Sequence, residues 1–286
     1  MIIQSLAHEN KPYHRACLTP VEDELEKRGH TVLRGGRKPF PKDKIEATMV
    51  TMAFYLTKEN ARHLKRPIFF FPHGVAVVKV TIEDRLLNSD FMMQTGPVWK
   101  EEMINLFPQF TNNLEIGFPK SDELFNGKST RDEVVKELGL DPKEPIIVFA
   151  PTYYQKGITH AGSTPVLSEI QKLGLKNLIV CLHEYDEQFN SLEGKKIIKA
   201  PNKNRYLLAA DLLIGDYSSI LIEFAILDKP IIQIDVTGNL EQFGLWGRQV
   251  EETGPFKIGE VVEPKNLEKA IEDALSNKDK YKALRQ

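Results

Sequence analysis

Short apolar runs that end on a turn and give way to a helical pattern recur along the whole chain, and this alternation restricts the fold more than any other feature. Ile2–Leu6, Ile68–Phe71, Pro145–Ala150, Asn177–Leu182, Ala210–Gly215 and Pro230–Asp235 are such runs. Runs of this kind bounded by turn residues read as buried strands. Strand, helix and strand in succession build βαβ units, so the expected class is α/β with a doubly wound sheet. At 286 residues the chain exceeds ordinary single-domain size. Two Rossmann-like domains facing a cleft, each with its own core, are the economical architecture. The polar, unpatterned stretch Gly127-Lys128-Ser129-Thr130 reads as the hinge between a domain over 1–127 and a second over 128–286.

Individual elements follow from local signals. Thr19-Pro20-Val21-Glu22 has the form of an N-cap, a proline at the first helical position and a capping-box glutamate, with Gly29 closing that helix. Residues 43–65 are mostly helical in pattern, and a further helix is expected around Trp99–Leu106. The loop Gly35-Gly36-Arg37-Lys38 could approach a ligand closely, although turns after strands commonly have this composition. In the second half, helices are expected from about Arg131 to Gly139, from Thr164 to Gly174 and from Asn266 to about Leu275.

Charge and cysteine content narrow the function classes. A net charge of −2 argues against a large nucleic-acid footprint. Arg34, Arg37, Lys38, Lys42 and Lys44 form a modest basic cluster, a composition that usually marks a solvated face. The two cysteines, Cys17 and Cys181, give neither a disulfide framework nor a metal knot, and Cys181 sits inside an apolar run as a small hydrophobe. The stretch Tyr206–Leu227 is long enough to span a bilayer, but Asp211, Asp216 and Glu223 interrupt it. Without signal-peptide regions at the N-terminus, a cytoplasmic location is expected.

Chemistry concentrates where the apolar runs end. His73-Gly74, Thr152-Tyr153, His183-Glu184 and Asp216-Tyr217-Ser218-Ser219 each follow a strand, the place where ligands gather in open α/β sheets. The last of these leads straight into a helical pattern, and the first turn of a helix offers unpaired N–H groups and partial positive charge to an anion. The competing reading is that Ser218 and Ser219 only cap a buried helix. Other chemistries lack their signatures. Gly127-Lys128-Ser129 misses the earlier glycine of a P-loop, Gly215–Ser219 lacks the Gly-x-Ser-x-Gly elbow, and no Gly-x-Gly-x-x-Gly follows an early strand. No His, Cys or carboxylate pair stands at metal-ligand spacing, and no cofactor is expected.

Taken in order, His73-Gly74, Gly117-Phe118-Pro119-Lys120-Ser121-Asp122, Phe149-Ala150-Pro151-Thr152-Tyr153, a histidine after a strand, and Ala210–Ser219 with Lys229-Pro230 closely resemble the CDP-glycerol glycerophosphotransferases of teichoic-acid synthesis. The resemblance covers roughly residues 66 to 245 and implies the two-domain B-type glycosyltransferase fold, with the nucleotide diphosphate held by the second domain. It makes His73 the general base on the acceptor hydroxyl, with Gly74 and Asp122 on the acceptor side of the cleft. His183, Thr152, Asp216, Ser218, Ser219 and Glu223 fall to the donor's pyrophosphate side, Glu223 standing where the family usually has Asp. The implied reaction transfers glycerol phosphate or a related polyol phosphate from a CDP-linked donor to an acceptor hydroxyl and releases CMP. A lipid-linked glycan at the inner face of the cell membrane is the implied acceptor, with peripheral membrane contact and no nucleic-acid partner. Since the same fold serves nucleotide-sugar glycosyltransferases and epimerases, and also non-catalytic nucleotide-binding proteins, these remain the alternatives.

Overall fold

The computed structural model describes residues 1–8, 12–36, 38–72, 74, 83–152, 163–182, 196–198, 203–216, 218–235 and 258–285. Two compact units divide the chain, Met1–Asp122 and Glu123–Gln286. Each contains a six-stranded, wholly parallel sheet. This is the doubly wound α/β class that the alternating runs predict.

The first unit runs β1 (Ile2–Leu6), α1 (Pro12–Lys27), β2 (Thr31–Gly35), β3 (Ala47–Val50), α2 (Lys58–Ala61), β4 (Ile68–Phe70), α3 (Glu83–Leu86), β5 (Phe91–Gln94), α4 (Pro97–Leu106) and β6 (Asn113–Glu115). Its sheet order is β2-β1-β3-β4-β5-β6. Strand β3 lies in the stretch expected to be mostly helical. All four of its residues are buried, so it shows no polar alternation, and its Ala and Met are good helix formers; burial between β1 and β4 overrides that preference.

Helix α1 also differs from expectation. It starts at Pro12, and Pro20 lies inside it. Pro20 has no N–H to offer the preceding turn, while the Thr19 hydroxyl donates to the Arg15 carbonyl at 3.1 Å. Glu22 is not a capping residue: it is fully buried, accepts from the Ser5 hydroxyl, and pairs with Arg15 at 2.5 Å and Arg34 at 2.9 Å. A carboxylate taken this far from water needs such partners. The glycine at 35 serves packing, since a Cβ there would lie 2.9 Å from the Phe40 ring and 3.0 Å from Leu6.

Helix α5 (Asp122–Asn126) starts on the last residue of the first unit, and the second continues through α6 (Arg131–Leu138), β7 (Ile147–Ala150), α7 (Ser163–Lys172), β8 (Leu178–Cys181), β9 (Lys196–Ile198), α8 (Asn204–Ala209), β10 (Leu212–Gly215), α9 (Ile220–Ala225), β11 (Ile231–Ile234), β12 (Glu260–Val262), α10 (Leu267–Ser276) and α11 (Lys282–Arg285). Sheet order is β12-β11-β10-β7-β8-β9. Alternate residues of its strands feed two separate cores. Val148, Ile179, Leu213 and Ile231 pack with α6, α8 and α9 on one face, and Ile147, Val180, Ile214 and Ile232 pack with α7 and α10 on the other. Burial on both faces is why these strands are continuously apolar. Gly139 ends α6 in the left-handed region, with φ 60°.

Candidate functional site

The chain reverses direction across the second sheet between its two central strands. From β7 it passes through α7 to β8 on one side, and from β10 through α9 to β11 on the other. In an open sheet such a reversal point is where a crevice forms at the carboxyl ends of the strands, here β7 and β10. Thr152 and Asp216 stand on the two sides of it. The Thr152 N–H donates to Asp216 Oδ1 at 2.8 Å, and the Thr152 hydroxyl donates to the same oxygen at 2.7 Å. Asp216 is 1% exposed, and its carbonyl accepts from Gln233 Nε2 of β11 at 2.7 Å. One residue thus ties three neighbouring strands together at their carboxyl ends. Both Thr152 donors converge on Oδ1, which holds Thr152 against β10.

Beyond Asp216 the chain enters α9. Ser218 and Ser219 are half-buried, and Ser219 occupies the capping position with φ −56° and ψ −15°. The first bonds of the helical ladder run from Leu221 N–H to the Ser218 carbonyl at 3.2 Å and from Ile222 N–H to the Ser219 carbonyl at 3.1 Å. The Ser219 side chain makes no capping bond; its hydroxyl lies 3.4 Å from Oε1 of Glu223, which is 2% exposed. For Ser219, then, the competing reading of a simple cap fails, and the hydroxyl is directed along the helix toward a buried carboxylate. Gly215 makes this approach of strand and helix feasible. A Cβ there would lie 2.8 Å from Leu221 Cδ2 and 3.2 Å from the Ala150 carbonyl oxygen.

The segment 210–230 divides into two structural roles. Asp211, at the amino end of β10, accepts from Arg131 Nη1 at 2.5 Å and from the Ile146 N–H at 2.8 Å. Lys229 donates to the carbonyls of Leu208 and Ala210 at 2.8 and 2.6 Å, closing the end of α8, and burial holds its ammonium pKa below the usual lysine range. Both therefore brace the sheet edge opposite the crevice, while Asp216, Ser218, Ser219 and Glu223 belong to the crevice edge.

Of the residues predicted from sequence, Thr152 meets Asp216 and Ser219 meets Glu223 on the second unit, with Ser218 just before α9. Gly74 and Asp122 belong to the first. Gly74 is half-buried in the loop after β4, and Asp122 is exposed at the start of α5. His73, His183, Tyr153 and Tyr217 lie outside the described residues. Cys181 is buried and its thiol is pushed up to about 12 by that burial, so it is an inert core residue. Gln233 escaped sequence reasoning, although a lone amide within Ile231-Ile232-Gln233-Ile234 is the signal that marks it. Among the described residues, no three His, Cys, Asp or Glu side chains cluster in a metal-binding arrangement, and no helix is long and apolar enough to cross a membrane.

Comparison with known proteins gives this geometry a context. Residues 74–285 match the family described as CDP-glycerol:poly(glycerophosphate) glycerophosphotransferase. The teichoic acid glycerol-phosphate primase of Bacillus spizizenii is 29% identical over 148 residues, which cover 47% of this chain and 38% of that protein. The chain aligns with little more than a third of the length of such relatives. Among solved structures, the wall teichoic acid polymerase TagF superposes with a TM-score of 0.66 at 17% identity, covering 100% of this chain and 82% of that one. A UDP-GlcNAc 2-epimerase of Methanocaldococcus jannaschii gives 0.64 at 14% identity, covering 100% and 96%. At these identities the likeness shows the fold, the two-domain B-type glycosyltransferase architecture.

Proposed function

Because the chain belongs to the CDP-glycerol:poly(glycerophosphate) glycerophosphotransferase family, we propose that it transfers glycerol phosphate, or a related polyol phosphate, from a CDP-linked donor to an acceptor hydroxyl in teichoic-acid-like polymer synthesis. The observation that carries this reading is the Thr152–Asp216 pair at the reversal point of the second sheet, with Ser218 and Ser219 leading into α9 beside it. Hydroxyls that lead into the amino end of a helix suit a pyrophosphate.

In the proposed reaction the acceptor oxygen attacks the β-phosphorus of the donor in line. A new O–P bond forms, the pyrophosphate P–O bond breaks, and CMP departs with the electron pair. His73 takes the acceptor proton, and His183 with Ser218 and Ser219 neutralises charge growing on the leaving phosphate. Glu223 orients the Ser219 hydroxyl. The acceptor is a lipid-linked glycan, met at the cytoplasmic face of the membrane through a peripheral contact, with Gly74 and Asp122 on the acceptor side.

CMP release from CDP-glycerol in the presence of a lipid-linked acceptor tests the reading. His73→Ala is expected to lower turnover by about 10²–10⁴; full activity in that variant would remove the base assignment. A thermal-shift panel of CDP-glycerol, CDP-ribitol, UDP-sugars and CMP-sugars identifies the donor, and stabilisation by a UDP-sugar alone would favour a nucleotide-sugar enzyme of the same fold.

A further inference from the structure

The amino-end edge of the first sheet carries a cavity of about 770 Å³ whose lining includes Lys42, Lys58, Arg62, Lys65, Arg66 and Asp43. These residues come from the segments leading into β3 and β4 and from α2, so the cavity lies at the opposite edge of that sheet from Gly74. Its charge is concentrated against the grain of a chain whose net charge is −2. Arg66 is held by Asp90, with Nε 2.9 Å from Oδ1, and the Lys42 ammonium donates to the Arg62 carbonyl. Lys58, Arg62 and Lys65 are exposed around them.

We propose that this groove binds an anionic chain of phosphodiester-linked polyols. Several cations lining one concavity match repeated phosphates on a thin strand, whereas a flat bilayer would meet them only at the rim. The choice of a polyol-phosphate chain over other polyanions rests on the proposed function.

Fluorescence anisotropy of the full chain with a labelled synthetic glycerol-phosphate oligomer tests the proposal. Binding should weaken steeply as salt rises from about 50 to 200 mM. A Lys58→Gln/Arg62→Gln/Lys65→Gln variant should bind at least about tenfold more weakly, and the charge-matched variant Lys172→Gln/Lys265→Gln/Lys280→Gln should bind like the parent. If the groove triple variant fails to fold, Lys58→Gln and Lys65→Gln are measured singly, each with a smaller loss expected. Undiminished oligomer binding by the groove variants overturns the proposal, and so does competition by free glycerol 3-phosphate at equal phosphate concentration. Loss of binding to phosphatidylglycerol vesicles while oligomer binding persists would also overturn it, in favour of a membrane contact. Stabilisation by CDP-glycerol, measured separately, reports on the functional reading alone.

Discussion

Thr152 and Asp216 meet through two short hydrogen bonds to one carboxylate oxygen. Thr152→Val removes the hydroxyl bond and leaves the backbone one. It should cost about 1–2 kcal/mol in urea unfolding and weaken donor stabilisation, while Thr152→Ser restores both. Equal stability of the Val and Ser variants would show that the hydroxyl bond contributes nothing. The candidate residues were legible because they follow apolar strands, but their partners were not. Glu22 reads as a cap from its spacing to Thr19, and only the fold reveals Arg15 and Arg34 closing on it from elsewhere. Arg34 shows the same limit. It reads as part of a basic cluster with Lys42, yet Glu22, Asp23 and Glu26 occupy its guanidinium, and the hydrogen bond it donates to Glu26 leads in pushing its pKa further up. Lys42 instead shares a groove with residues of α2 and the segment after it.

At the level of elements, the packing of α9 over β10 depends on the missing side chain at Gly215. Gly215→Ala should destabilise the protein by about 1–3 kcal/mol, and Leu221→Ala in the same chain should recover part of that by opening room. Strictly additive losses in the double variant, measured by denaturant unfolding, would rule out this contact as the cause. Strands β7, β8, β10 and β11 were readable because both faces are buried, which leaves an unbroken apolar run. Strand β3 obeys the same physics but spells it with Ala47-Thr48-Met49-Val50, whose local preferences are divided. In α1 the proline rule misplaced the start, because Pro20 sits in the helix interior, where tertiary packing outweighs its cost.

Across the whole molecule, two units with separate cores should unfold as two calorimetric transitions. CDP-glycerol at a hundred times its Kd should raise one of them by roughly 2.7 kcal/mol, and it should be the transition that Gly215→Ala lowers. A single transition would contradict independent unfolding of the two units, and a donor effect confined to the other transition would contradict the proposed placement of the donor in the second unit. The Thr152–Asp216 bond also has a consequence for the order in which the protein comes into being. Its partners are 64 residues apart, and β10 is the strand that fills the gap between β7 and β11. At about 5–20 residues per second a ribosome needs roughly 3–13 s to deliver Asp216 after Thr152. Throughout that interval the Ile147-Val148-Phe149-Ala150 edge of β7 has no partner on the β10 side, so the strand leading to Thr152 is also the one the growing chain most needs to keep from pairing with a neighbour.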